Sequence, residues 1–169
     1  MPVSNMNVNP GDWGAQVLKV RVVCHTAGRV LNTKASDNHW SIYFIIGDTK
    51  SVQFNMTAEP GYINGELKMN SYDYIDSRST IQRWDYEAIS FFTLSMVHNL
   101  LVAQRHFDQY DMSGGGSGCR RWVYNVILVL ASVGWIRSDA AASLWPDLLF
   151  KYSSLKDRTP LPMVFGTFN

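Results

Sequence analysis

Charge is scarce in this 169-residue chain. Asp, Glu, Lys and Arg make up 17% of it, below the ~25% usual in soluble domains. Fifteen basic against fourteen acidic side chains leave a net charge of +1, with no basic run. The phosphate attraction that drives nucleic-acid binding has little to act on, so nucleic acid is not an expected partner. Cysteine is scarcer still: Cys24 and Cys119 cannot build a disulfide framework. The first twenty residues lack a basic segment followed by an apolar one, so the expected compartment is the cytoplasm, and the sequon Asn55-Met56-Thr57 is read as chance. Long apolar runs are missing too. The longest, Trp122 to Ile136, is fifteen residues and holds Asn125 and Ser132, short of the ~20 that cross a bilayer, so no membrane span is expected. No repeat or low-complexity tract occurs beyond the short glycine run of Met112 to Gly118.

What is abundant is apolar and aromatic. Hydrophobic residues reach 46%, and aromatics 13%, with six Trp, eight Tyr and eight Phe. That suffices for one domain with a real core. The surplus implies either a cleft for an apolar small molecule or an interface with a second copy of the chain, and composition does not choose between them.

Residues 1–15 are rich in Asn, Pro and Gly and read as an irregular arm. From Gln16 to Thr26 apolar Val17, Val20, Val22 and Cys24 alternate with polar neighbours, a period near two that predicts a strand. Gly28 to Asn38 reads as a polar loop. His39 to Ile46, the turn Gly47-Asp48-Thr49-Lys50 and Ser51 to Met56 predict a hairpin, which Glu59-Pro60-Gly61 ends. Gly65 to Tyr74 offers a further short strand and turn. Ile81, Trp84, Ala88, Ile89, Phe92, Met96, Val97, Leu100 and Leu101 recur at three and four, predicting a helix over about 83–105. Cys119 to Ile136 predicts a second apolar helix, and Ser138-Asp139 an N-cap for a third that Pro146 restricts. Residues 159–169, opening Thr-Pro-Leu-Pro, read as an extended tail. The expected architecture is a single α+β domain over 16–158, an antiparallel sheet packed against two long apolar helices.

One constellation carries chemistry. Cys119 follows Gly116-Ser117-Gly118 at the predicted first turn of a helix, where free N–H groups and the helix dipole favour a thiolate, and Arg120 and Arg121 add positive potential. A nucleophilic cysteine needs a base, and His39 is the natural one. Plainer roles stand beside these: Cys119 as a small buried hydrophobe and His39 as a satisfied core histidine. Cys24 reads as a small hydrophobe, and His25, His98 and His106 as packing or solvent residues. The glycines leading to Arg120 and Arg121 could cradle an anion, although the Lys-Ser/Thr of a P-loop is missing. A metal site would have to combine Cys24, His25, His39 and Cys119 without paired ligand spacing, so neither metal nor cofactor is expected. Asp73, Asp76 and Asp85 read as turn and cap residues.

Asn38-His39-Trp40-Ser41-Ile42-Tyr43, then a hairpin, then an apolar helix, then Gly118-Cys119-Arg120-Arg121-Trp122-Val123, resembles the circularly permuted papain-like fold of the NlpC/P60 peptidases and the lecithin:retinol acyltransferase-like proteins. The parallel covers about residues 16–137. It implies Cys119 as nucleophile and His39 as the base that takes its proton, with a polar residue, often His, on the next strand. Here that strand offers Gln53 and Asn55, which can orient an imidazole without a carboxylate's charge and so imply weak or absent hydrolase activity. The whole chain, Gly116 to Trp122 in particular, also resembles uncharacterised fungal proteins, some thought to lie beside natural-product biosynthetic genes. That resemblance implies a small accessory enzyme of secondary metabolism acting on an apolar intermediate.

Register decides whether the third member is in place. With a loop of two or four residues, paired positions sum to 97 and the face of His39, Ser41 and Tyr43 carries Val52, Phe54 and Met56. An odd-length loop puts Gln53 and Asn55 there instead. Three readings remain open: Cys119–His39 acyl transfer or hydrolysis; a cofactor-free cyclase or isomerase whose aromatic cleft, including Trp40, uses His39, Tyr43 or Arg120 for proton transfer or charge stabilisation; and a non-catalytic binding or dimerisation module.

Overall fold

Period-two alternation in the first half of the chain gives every central strand one apolar and one polar face. The computed structural model describes residues 4–29, 36–59, 61–113, 118–153 and 157–169. The strands are β1 (Ser4–Asn7), β2 (Lys19–Arg29), β3 (Ser36–Ile45), β4 (Ser51–Thr57), β5 (Glu66–Tyr72) and β6 (Thr80–Glu87), forming one sheet in the order β1-β5-β4-β3-β2-β6. After them come α1 (Leu94–His98), β7 (Tyr110–Asp111), α2 (Cys119–Ser132), α3 (Ala140–Leu144), β8 (Phe150–Tyr152), β9 (Arg158–Pro160) and β10 (Thr167–Phe168). The architecture is α+β.

Val20, Val22 and Cys24 of β2, Trp40, Ile42 and Phe44 of β3, and Val52, Phe54 and Met56 of β4 all face the helices and are buried. Trp122, Val123, Val126, Ile127 and Leu130 of α2 meet them there. The aromatic surplus is spent largely inside: Trp40 stacks on Trp84 at 5.1 Å, and Phe92 on Trp135 at 4.7 Å.

Several expectations are corrected. The sheet is mixed rather than antiparallel, because residues 4–7 of the supposed arm form β1 and run parallel to β5. The polar loop is shorter, since β2 continues to Arg29 and β3 begins at Ser36, and its centre, 30–35, lies outside the described residues. So do Pro60 and the glycine run over 114–117. The helix expected over 83–105 splits into β6, the one-turn α1 and a π-helical turn, Asn99–Gln104. In β6, Trp84 and Tyr86 face the core while Arg83, Asp85 and Glu87 face away, a period-two pattern inside the helical spacing. Pairing with β2 decides between them, helped by ion pairs of Lys19 with Asp85 and Glu87. The second expected helix ends at Ser132 rather than Ile136, so neither long apolar helix forms. No helix among the described residues is long and apolar enough to cross a membrane.

The tail folds back. β10 pairs with β7, β9 with β8, and the Tyr110 hydroxyl, accepting from the Gly166 N–H at 3.1 Å, pins it near the start of α2.

Two features position the site. The β3–β4 connection is five residues long, so pairs sum to 96: Tyr43 faces Gln53 and Ile42 faces Phe54. The odd-length alternative therefore holds. Above Ile42–Phe54 that ladder stops, while β3 keeps pairing with β2 and β4 with β5, which opens a gap between β3 and β4. The second feature is the β5–β6 connection. It must pass four strand spacings, about 19 Å, and seven residues reach at most about 25 Å, so 73–79 has little slack to leave the sheet. It crosses the polar face: buried Arg21 of β2 donates to the Ile75 carbonyl at 2.6 Å and to Asp76 at 2.8 Å, and is held from β6 by Asp85 at 2.7 and 3.0 Å. Asp76 and Asp85, expected as turn and cap residues, are the counter-ions of this buried guanidinium.

Candidate active site

Gly118 has a φ of +131°, and a Cβ there would meet the Tyr110 hydroxyl at 3.1 Å, so glycine is required. Its carbonyl accepts from the N–H groups of Arg121 and Trp122 and from the Tyr110 hydroxyl at 2.7 Å, which starts α2 at Cys119. The helix lies on the apolar face, yet the half-buried thiol of Cys119 reaches the β3–β4 gap. There it hydrogen-bonds with His39 and accepts from the Trp40 N–H, a donor β4 leaves free by ending its ladder at Ile42–Phe54.

Nε2 of His39 donates to Oδ1 of Asn55, leaving Nδ1 for the thiol. Burial pushes the Cys119 thiol up, but the hydrogen bond and charge of His39, the Trp40 N–H and the charge of Arg120 outweigh it and bring the thiol below its ordinary range. Burial likewise opposes a charged His39, and the thiolate and Asn55 outweigh that and raise it. Both shifts run toward a thiolate beside an imidazolium, which an amide oxygen orients. Cys24, fully buried beneath, is raised first by burial and then by Cys119, and stays a neutral thiol.

On the polar face His39 and Asn55 line a cavity of about 360 Å³. Its floor is a chain of hydrogen bonds: Gln53 donates to the Ser41 hydroxyl at 2.8 Å, which lies 2.8 Å from Nε2 of His25, whose Nδ1 lies 2.7 Å from the Ser79 hydroxyl. Tyr72 at the end of β5 and Tyr74 of the crossing segment stack at 4.7 Å, and both line the cavity. Burial, and then the charge of His39, push His25 down to about 4, so it is neutral. The lining presents hydroxyls, amides and imidazoles beside the rings of Tyr43, Tyr72 and Tyr74.

Of the residues singled out from sequence, Cys119, His39 and Asn55 come together, with Tyr43 and Gln53 beside them in the cavity. Trp40 does not join them by its side chain, which faces the core. Nor does Arg120: its buried guanidinium donates to the carbonyls of Leu148, Leu161 at 2.9 Å and Pro162 at 2.6 Å, tying the tail to the helix. Arg121 lies over the Phe165 ring at 4.7 Å, so both arginines of the supposed anion cradle are engaged elsewhere. His25, Tyr72, Tyr74 and Ser79 were missed. The available signal was that His25 is an odd-numbered residue of β2, opposite His39 and off the Val20-Val22-Cys24 stripe. Among the described residues no group of three or more His, Cys, Asp and Glu side chains could hold a metal ion.

No curated protein and no solved structure matches the chain. A family model does, over residues 20–169, which include all of β2 but its first residue, β3 to β6, α2 and every residue of this site; the chain belongs to the family described as Domain of unknown function (DUF7770).

Proposed function

We propose that this protein is a cysteine-dependent acyl-transfer enzyme or hydrolase. The observation that carries this reading is the Cys119–His39–Asn55 arrangement, with its thiol lowered and its imidazole raised. Cys119 attacks an acyl carbon, and the imidazolium of His39 protonates the leaving group. A second nucleophile then gives its proton to the neutral His39 and regenerates the thiolate. The Cys119 N–H, one of the first four of α2 and therefore without a helical carbonyl partner, would donate to the developing oxyanion. The order His39, Asn55, Cys119 along the chain supports the permuted papain-like reading of the fold, and a reactive free thiol suits a reducing cytoplasm. The resemblance to proteins near natural-product genes supports a biosynthetic intermediate as substrate.

The test is incubation with p-nitrophenyl hexanoate, following the burst of p-nitrophenol and the mass of the protein. An acyl adduct on the Cys119 peptide, lost in Cys119→Ser and slowed in His39→Ala, is expected. A chain that stays unacylated while folded refutes the reading.

A further inference from the structure

His39 stands between two spaces. On one side is Cys119; on the other is the 360 Å³ cavity, whose lining comes from the opposite face of the sheet and from the crossing segment. We propose that this cavity is the acyl-acceptor site and that its occupant is a neutral polyhydric alcohol, making transfer rather than hydrolysis the favoured outcome. This rests on the cysteine chemistry proposed above.

Size is the first reason. At about 30 Å³ per molecule the cavity holds about 12 waters, far more than one hydrolytic water needs, and within the range of small-ligand sites. Chemistry is the second. The lining has no Asp, Glu, Lys or Arg, and its one group that carries charge in the resting ion pair, His39, is neutral once it has protonated the leaving group and Cys119 is acylated. A cationic amine or an anionic acid would enter without a counter-ion, which is costly in a half-buried site. A neutral alcohol meets hydroxyls at Ser77, Ser79 and Tyr43 and the Gln53 amide, each able to donate or accept, while the stacked Tyr72–Tyr74 pair covers its carbon skeleton.

Position is the third reason. A general base must reach the proton of the attacking group, and His39 lines the cavity while bonding the thiol through the β3–β4 gap. The acceptor oxygen reaches through the β3–β4 gap to the carbonyl carbon of the Cys119 thioester, and its proton passes to Nδ1 of His39, the nitrogen that faces the sulfur and gave up its proton on acylation. The C–S bond breaks, the ester leaves, and the thiolate–imidazolium pair is restored. In sum, an acyl donor and an alcohol give an ester and the protonated leaving group, with no oxidant or further reactant.

The experiment acylates the protein with p-nitrophenyl hexanoate and lets it turn over in glycerol or methyl glucoside, or in choline or lactate as charged alcohols. The readout is the ratio of transfer ester to free hexanoic acid, which does not depend on how much protein is acylated. The neutral polyols are expected to exceed the charged alcohols by about tenfold, and Thr26→Trp, at the exposed rim of the cavity, to lower the polyol ratio by about tenfold. An adduct on Cys119 whose turnover makes no distinction between neutral and charged acceptors, or is indifferent to Thr26→Trp, overturns the acceptor site and leaves the cysteine chemistry standing. No adduct at all overturns both.

Discussion

Replacing His39 by Ala removes the imidazolium from Cys119 and leaves the thiol its Trp40 N–H and the charge of Arg120 against the same burial. A hydrogen bond to a charged group contributes about 1.5–3 kcal/mol. At about 1.4 kcal/mol per factor of ten, the thiolate-to-thiol ratio at Cys119 falls about 10- to 150-fold. Iodoacetamide reads this ratio directly, because only the thiolate reacts. The assay follows the alkylation rate against pH in a Cys24→Ala background, with circular dichroism to confirm that each variant is folded. The parent keeps reacting at pH values below those at which a free cysteine, with its pKa of ~8.5, falls silent. His39→Ala loses the neutral-pH rate by the factor above. Asn55→Ala gives a loss of about three- to tenfold, since it removes a hydrogen bond of about 1 kcal/mol that favours the imidazolium. A folded His39→Ala protein with the parent's pH profile would refute the ion pair, and with it the nucleophile.

Three further outcomes follow from the same structure. His25 stays neutral down to about 4 in the folded chain while an unfolded histidine protonates near 6.5, so the unfolded state binds more protons in that window. Stability therefore declines by up to about 3 kcal/mol as pH falls from 6.5 to 4, and urea midpoints at the two ends should show that loss diminished in His25→Gln; an equal loss in both proteins contradicts it. A Cβ at Gly166 would lie 2.2 Å from the Tyr110 hydroxyl and 2.5 Å from the Asp111 carbonyl, so Gly166→Ala should cost about 1–3 kcal/mol and speed hydrogen exchange over β7 and β10, whereas an unchanged melting temperature argues against the docked tail. Arg120→Met leaves three carbonyls without their charged donor and should destabilise by about 3 kcal/mol or more, with proteolysis beginning in residues 158–169; a stable, uncut variant would show that the tail is held by other contacts.

The hairpin was legible because its information is local. The β-branched and aromatic run from His39 and the turn at Gly47 lie within one hydrogen-bonded unit. The helical spacing over 83–105 misled because Trp84 and Tyr86 fit both periods, and the choice was made by β2, sixty residues upstream. Arg120 and Trp40 were assigned to the cleft by adjacency to Cys119 and His39 along the chain. Neighbours on a strand point to opposite faces, and a helix can turn its second residue to the interior, so adjacency in sequence did not become adjacency in space.

The sequence by itself determined the reactive residue types, the two-faced character of β2, β3 and β4, and the two alternative hairpin registers between which Asn55 had to be placed. Tertiary structure alone decided the rest. It selected the odd register, stopped the β3–β4 ladder at Ile42–Phe54 so that Cys119 could reach His39 from the other face of the sheet, and drew 73–79 across the polar face to enclose a cavity around His25. The physical reason is that these features depend on which strands become neighbours and where their pairing ends. Such long-range packing choices leave no period in the local chain.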